Sequence, residues 1–132
     1  YADSAVHCLE TLGRLVEARR CGKQLGANLL LVVDGLQQIA AMDAEVRILF
    51  EYLLREGPSV QVWPIASLDD GHSRRMARWL HRFGTPILGH TLSHIAEQLA
   101  APSVPHRTGD FVVRTRSGWK LFYALANQAQ GY

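Results

Sequence analysis

The stretch Asn28-Leu29-Leu30-Leu31-Val32-Val33-Asp34-Gly35 constrains the fold of this chain more than any other. An apolar run without alternation predicts a strand covered on both faces, as in a parallel α/β sheet. Asp34 then stands at the carboxyl end of that strand, where open α/β sheets place their ligands. A simpler role is equally open to it, starting a turn or capping the next helix.

The rest of the chain alternates helix and strand. Ala5, Cys8, Leu9, Leu12, Leu15 and Val16 form one apolar stripe, which predicts a first helix ending before Gly22. Arg14, Arg19, Arg20 and Lys23 gather near its carboxyl end, where the helix dipole favours cations. After the first strand a second helix starts between Gly35 and Met42, buries Val46, Leu49, Phe50, Leu53 and Leu54, and stops at Gly57-Pro58. The second strand spans residues 60–67 and ends in Ser67, with Pro64 a residue that belongs on an edge. A third helix opens at Asp69-Asp70-Gly71 and turns Met76, Trp79, Leu80 and Phe83 inward. All methionine and tryptophan positions are expected in the core. Thr85-Pro86-Ile87-Leu88-Gly89 reads as a short third strand, and Thr91 or Ser93 caps a helix carrying Ile95 and Leu99. Residues 101–108 form a loop, and residues 111–115 and 119–123 flank Arg116-Ser117-Gly118 as a hairpin. Residues 127–132 are expected to fray. The predicted class is α/β: a mostly parallel sheet with flanking helices and a C-terminal β-hairpin.

A chain of 132 residues is expected to form a single domain over 1–132. A net charge of +2 supplies no global basic field, so contact with nucleic acid has to come from a local patch. No apolar run reaches the ~18 residues of a membrane span. Cys8 and Cys21 fall in one predicted helix, ~20 Å apart along its axis, too far to bridge. A reducing, cytoplasmic setting is therefore expected. The chain begins at Tyr1 without a Met, as a piece cut from something longer would.

The apolar strand ending in Asp34 has the shape of a Walker B element, whose carboxylate helps hold Mg²⁺ beside a nucleotide phosphate. With residues 60–67 and 86–90 following in order, the chain resembles the later half of a RecA-like P-loop ATPase core. It looks most like the FtsK/SpoIIIE and HerA branch of DNA-pumping motors. There the next strand ends in a small polar sensor run, matched in place by Ala66-Ser67, and a Gly-Asp-apolar hairpin lies near the end, matched by Gly109-Asp110-Phe111. The resemblance implies that Asp34 is the Mg²⁺-side carboxylate and Ser67 the sensor. It further implies Mg-ATP as cofactor once a phosphate-loop segment completes the core, with DNA as partner. Assembly as a homo-oligomer, or with a missing N-terminal half of the core, follows from it too.

Departures from that pattern point away from hydrolysis by this chain alone. It has no Gly-x-x-x-x-Gly-Lys-Ser/Thr loop. Gly22-Lys23 is followed by Gln24, has Glu17 where the upstream Gly belongs, and trails a helix instead of leading into one. Gly35 occupies the place of the carboxylate that orients the attacking water, and Leu68 that of the sensor Gln. An Asp-Gly pair at this point is similar to the degenerate ATPase modules of type VII secretion motors. Pro64 fits an exposed edge left by an absent phosphate-loop strand. The expected function is a fragment or degenerate module of an ATP-driven DNA translocase; the alternative is a non-catalytic α/β interaction module working through a basic helix or the open sheet edge.

Other constellations are weaker. Arg74, Arg75, Arg78, His81 and Arg82 make the third helix basic, suited to DNA phosphates or an acidic partner; the plain alternative is a solvated face with Arg74 and Arg75 paired to Asp69 and Asp70. His90 and His94, with His72 or His106, lack the Cys or carboxylate that would complete a zinc tetrahedron. Ser67, Asp69 and His72 lack the Gly-x-Ser-x-Gly elbow of a hydrolase.

Overall fold

The computed structural model describes residues 2–22, 26–90, 93–102, 105 and 107–124. Its contacts divide the chain into two compact units, residues 1–82 and 83–132, each with its own sheet. The first unit holds α1 (Ala2–Arg20), β1 (Leu29–Val33), α2 (Leu36–Ala40), α3 (Ala44–Glu56), β2 (Val62–Ala66) and α4 (Ser73–Leu80). The second holds β3 (Ile87–Leu88), α5 (Ser93–Gln98), β4 (Asp110–Thr115) and β5 (Gly118–Tyr123).

In the first unit β1 and β2 run parallel, in a register that sets Leu31 against Pro64 and Val33 against Ala66. The crossover between them is α2 and α3, separate helices because the chain turns at residues 41–43 where a single helix is expected from the sequence. On α3 the stripe Val46, Phe50, Leu53 and Leu54 is buried. Phe50 meets the Trp79 ring of α4 edge-on, centroids 5.3 Å apart. Gly57 ends α3 under tight constraint: a Cβ there would lie 2.5 Å from the Leu53 carbonyl oxygen and 2.7 Å from that of Val62. Its own amide and carbonyl bond Leu53 and Val62, so α3 hands the chain directly to β2.

Pro64 sits where its chemistry allows. The bonds Leu29 N–H to Gln61 O and Ser67 N–H to Val33 O mean that odd-numbered residues of β2 face β1 in the ladder. The donorless nitrogen of Pro64 therefore lies on the opposite edge, which pairs with no other strand among the described residues.

Several expectations are corrected. The sheet is not mostly parallel: the first unit holds one short parallel pair and the second an antiparallel sheet ordered β3-β4-β5. The third strand pairs with the hairpin (Ile87 with Val113, Leu88 with Val112) and adds nothing to β1 and β2. Nor is the first strand covered on both faces. Leu31 is buried, but Leu30 and Val32 are 65% and 70% exposed, and their register partners Trp63 and Ile65 are 44% and 50% exposed. Trp63 is thus a surface residue, unlike Met76 and Trp79, which are buried as expected. Cys8 leaves the apolar stripe of α1 and is exposed, as is Cys21, and both are free thiols.

The stripe of α1 instead runs through Leu9 and Val16 to Arg19, a cation only 7% exposed. Its Nη1 donates to the Val60 carbonyl at 2.9 Å and its Nη2 to that of Ala27 at 3.0 Å. One guanidinium thereby ties the end of α1 to the entrances of both parallel strands. In the second unit, Leu88, Val112, Ile95 and Leu99 are buried, and Phe111 stacks on Phe122 across the hairpin. The hairpin loop is Arg116-Ser117, shorter than expected, because Gly118 already pairs with Thr115. Its φ of 106° suits glycine. No described helix is long and apolar enough to cross a membrane.

Candidate functional site

Parallel pairing of Val33 with Ala66 carries both chains to one rim, where Asp34 and Ser67 follow their strands. The Ser67 hydroxyl donates to Asp34 Oδ1 at 2.9 Å and accepts the Gly35 N–H at 2.8 Å. The Ser67 amide donates to Val33 O at 3.0 Å, and its carbonyl accepts Leu36 N–H at 2.8 Å. One serine thus pins the exit of β1, the turn after it and the start of α2, and it orients the exposed carboxylate of Asp34.

Gly35 makes this turn feasible. Its φ is 81°, in the left-handed region, and a Cβ there would come within 2.9 Å of Gln37 Nε2. Gly35→Ala is expected to cost about 1–2 kcal/mol, the penalty of placing a side chain in left-handed backbone. Urea unfolding followed by circular dichroism measures it; a variant as stable as the parent would show that the turn relaxes freely.

Chemically the rim offers oxygen: a carboxylate and a hydroxyl, with the Asp69 carboxylate nearby and accepting from Gln37 Nε2 at 3.5 Å. A hard cation such as Mg²⁺ takes about six oxygen ligands. Asp34 and Ser67 fit as part of that shell, with water and ligand oxygens supplying the remainder. No group of three or more His, Cys, Asp or Glu among the described residues is arranged to hold a metal ion. His90 is exposed and His94 is half-buried and already engaged, whereas His106 lies outside the described residues. The serine–aspartate–histidine set is not assembled either. Ser67 gives its hydroxyl proton to Asp34, and Asp69 meets His72 through backbone, its carbonyl accepting the His72 N–H at 3.1 Å.

The basic helix is partly committed to the fold. Arg78 lies 3.1 Å from Glu51 Oε1, which also accepts Trp79 Nε1–H at 2.8 Å, and its guanidinium sits over the Trp79 ring. Arg82 is exposed just past the end of α4. Arg74 and Arg75 belong to α4 by backbone, and their side chains and proposed pairing with Asp69 and Asp70 lie outside the described residues.

Displaced ionisation is found on the outer surface of α1 and α3. A hydrogen bond from Arg55, reinforced by Arg20, holds Glu56 below the usual carboxylate range. Desolvation, with a hydrogen bond from its hydroxyl to Glu17, pushes Tyr52 up. Arg19 is the residue that sequence reasoning misjudged: the dipole account of the cationic cluster hides that one member continues the buried stripe at positions 9, 16 and 19. That spacing is the signal that finds it. Comparison with protein families, curated proteins and solved structures finds no match for this chain.

Proposed function

We propose that residues 1–82 are the Walker B half of an ATPase core of the FtsK/SpoIIIE and HerA type, in a fragment or degenerate module that does not hydrolyse ATP by itself. The observation that carries this reading is the Asp34–Ser67 pair, a carboxylate and a hydroxyl 2.9 Å apart at the carboxyl ends of adjacent parallel strands. In it Asp34 is the residual Mg²⁺-side group and Ser67 positions that carboxylate. The edge of β2 on the Pro64 side, unpaired among the described residues, would take a phosphate-loop strand supplied by another segment or another copy. Bound Mg-ATP would bring the phosphates and the metal; this chain would bring one carboxylate and its orientation. Gly35 supports the lack of turnover, since its left-handed φ of 81° disfavours the glutamate that would orient water.

Calorimetric titration with Mg-ATP tests the reading. Saturable heat at millimolar nucleotide is expected, lost in Asp34→Ala and weakened in Ser67→Ala, without release of phosphate. No heat from the parent chain, or equal heat from Asp34→Ala, would overturn it.

A second reading, a non-catalytic α/β interaction module, is favoured by one observation. The outward face of the parallel pair presents Leu30, Val32, Trp63 and Ile65 to solvent, beside an unpaired strand edge. Such sheets normally have both faces covered. A chain silent toward nucleotide leaves this reading in place.

A further inference from the structure

We propose that β5 of the second unit is a pairing edge for a second copy of this chain, the two β5 strands running antiparallel about a two-fold axis at Leu121. The Ala124 N–H donates to Gly109 O at 2.9 Å, so the even-numbered residues of β5 turn their backbone groups toward β4. Those of Trp119, Leu121 and Tyr123 point the other way, along an edge that pairs with no strand among the described residues. A row of N–H and C=O groups at strand spacing is a template for another extended chain. The other edges suit that use less well. β3 is two residues long, and the outer edge of β1 presents only Leu30 and Val32 within the strand. The free edge of β2 carries Pro64, and its Val62 N–H is already given to Gly57. β5 has six residues and no proline, and Leu121 and Tyr123 are more than half exposed. Nothing in this inference involves Asp34, Ser67 or a nucleotide.

The occupant is a second copy because the edge is complementary to itself. Its outward row, Trp119, Leu121 and Tyr123, is aromatic, aliphatic, aromatic, the same order from either end. Antiparallel pairing centred on Leu121 sets Trp119 against the second copy's Tyr123, and Leu121 against its own counterpart. Each residue of the row then exchanges both backbone bonds with the residue opposite, and the aromatic pairs add cross-strand contact. Lys120 is the one charge on the strand, and its side chain lies on the other face with Phe122. In this register Lys120 meets the second copy's Phe122, whose ring attracts a cation. Sliding the copies two residues toward the hairpin loop would oppose Lys120 to itself, and like charges directly opposite destabilise a sheet. Lys120 therefore selects the register, and the two-fold makes the contact isologous and closed. A single strand edge buries little area, so the dimer is a weak one that forms as concentration rises.

The experiment follows self-association of the whole chain by sedimentation velocity from micromolar to millimolar concentration. A thiol reductant is present throughout, so that the free Cys8 and Cys21 cannot link copies. The parent is expected to pass from monomer to dimer. Over the same range, hydrogen exchange at the amides of Trp119, Leu121 and Tyr123 is expected to slow. Those of Lys120 and Phe122, already bonded to β4, are expected to hold steady. Leu121→Lys and Leu121→Glu each set like charges on the axis and are expected to weaken the dimer roughly tenfold or more. An equimolar mixture of the two variants is expected to restore it, because opposite charges then meet there. A parent that stays monomeric, a variant that associates as the parent does, or a mixture that stays monomeric would each overturn the proposal. Slowed exchange at Leu30 and Val32 in place of the β5 row would move the contact to the parallel pair and overturn it too. Should either variant fail to fold, the exchange pattern of the parent decides by itself.

Discussion

Phe50→Ala is expected to lower the unfolding free energy by about 3–5 kcal/mol, the usual range for emptying a fully buried aromatic position. Phe50 is 0% exposed, and it is the ring against which Trp79 is set. Removing it takes away burial and also the edge-to-face contact, and the resulting void lies between α3 and α4. Neither helix can easily collapse into it. α3 is anchored at its end by the Gly57 bonds, and α4 is anchored by the Glu51 contacts to Arg78 and Trp79. Phe50→Leu, which keeps most of the volume, is expected to cost less than half as much. Urea unfolding of both variants gives the comparison. Equal losses would mean that ring geometry matters more than volume.

Arg19→Leu is expected to cost about 2–3 kcal/mol. The loss lies in the carbonyls of Val60 and Ala27, each left without its side-chain donor at ~1–3 kcal/mol per orphaned group. Relief of a buried cation that pairs with no carboxylate among the described residues offsets part of that. Arg19→Lys is not expected to rescue stability, because an ammonium cannot spread two donors across carbonyls on different segments. If Arg19→Leu unfolds at the same urea concentration as the parent, the guanidinium is a passenger and the strand entrances are held by packing alone.

How far these features can be read from sequence depends on whether their causes are local. The stop at Gly57-Pro58 and the buried stripe of α3 are local, set by backbone chemistry and helical period, and both stand where the residues place them. Asp34 and Ser67 each follow an apolar run, and parallel register alone is enough to bring them within hydrogen-bond distance. The bare face of β1 is different. Leu30 and Val32 have the same composition whether a layer covers them or not, so an unbroken run does not reveal which face meets solvent. Likewise residues 87–88 form too short a strand to encode a partner, and the longer β4 captures them antiparallel. Arg19 escaped because its charge has a ready local explanation at a helix end, whereas its burial depends on two carbonyls distant in sequence.

The grip of Ser67 on the turn has a cost for anion chemistry at this rim. Peptide N–H groups leading into a helix are a natural cradle for phosphate oxygens. Here those of Gly35 and Leu36 are already spent on the hydroxyl and the carbonyl of a single serine. A phosphate arriving beside Asp34 would find these two donors occupied. It would have to be steadied by a bridging cation or by a loop brought from elsewhere.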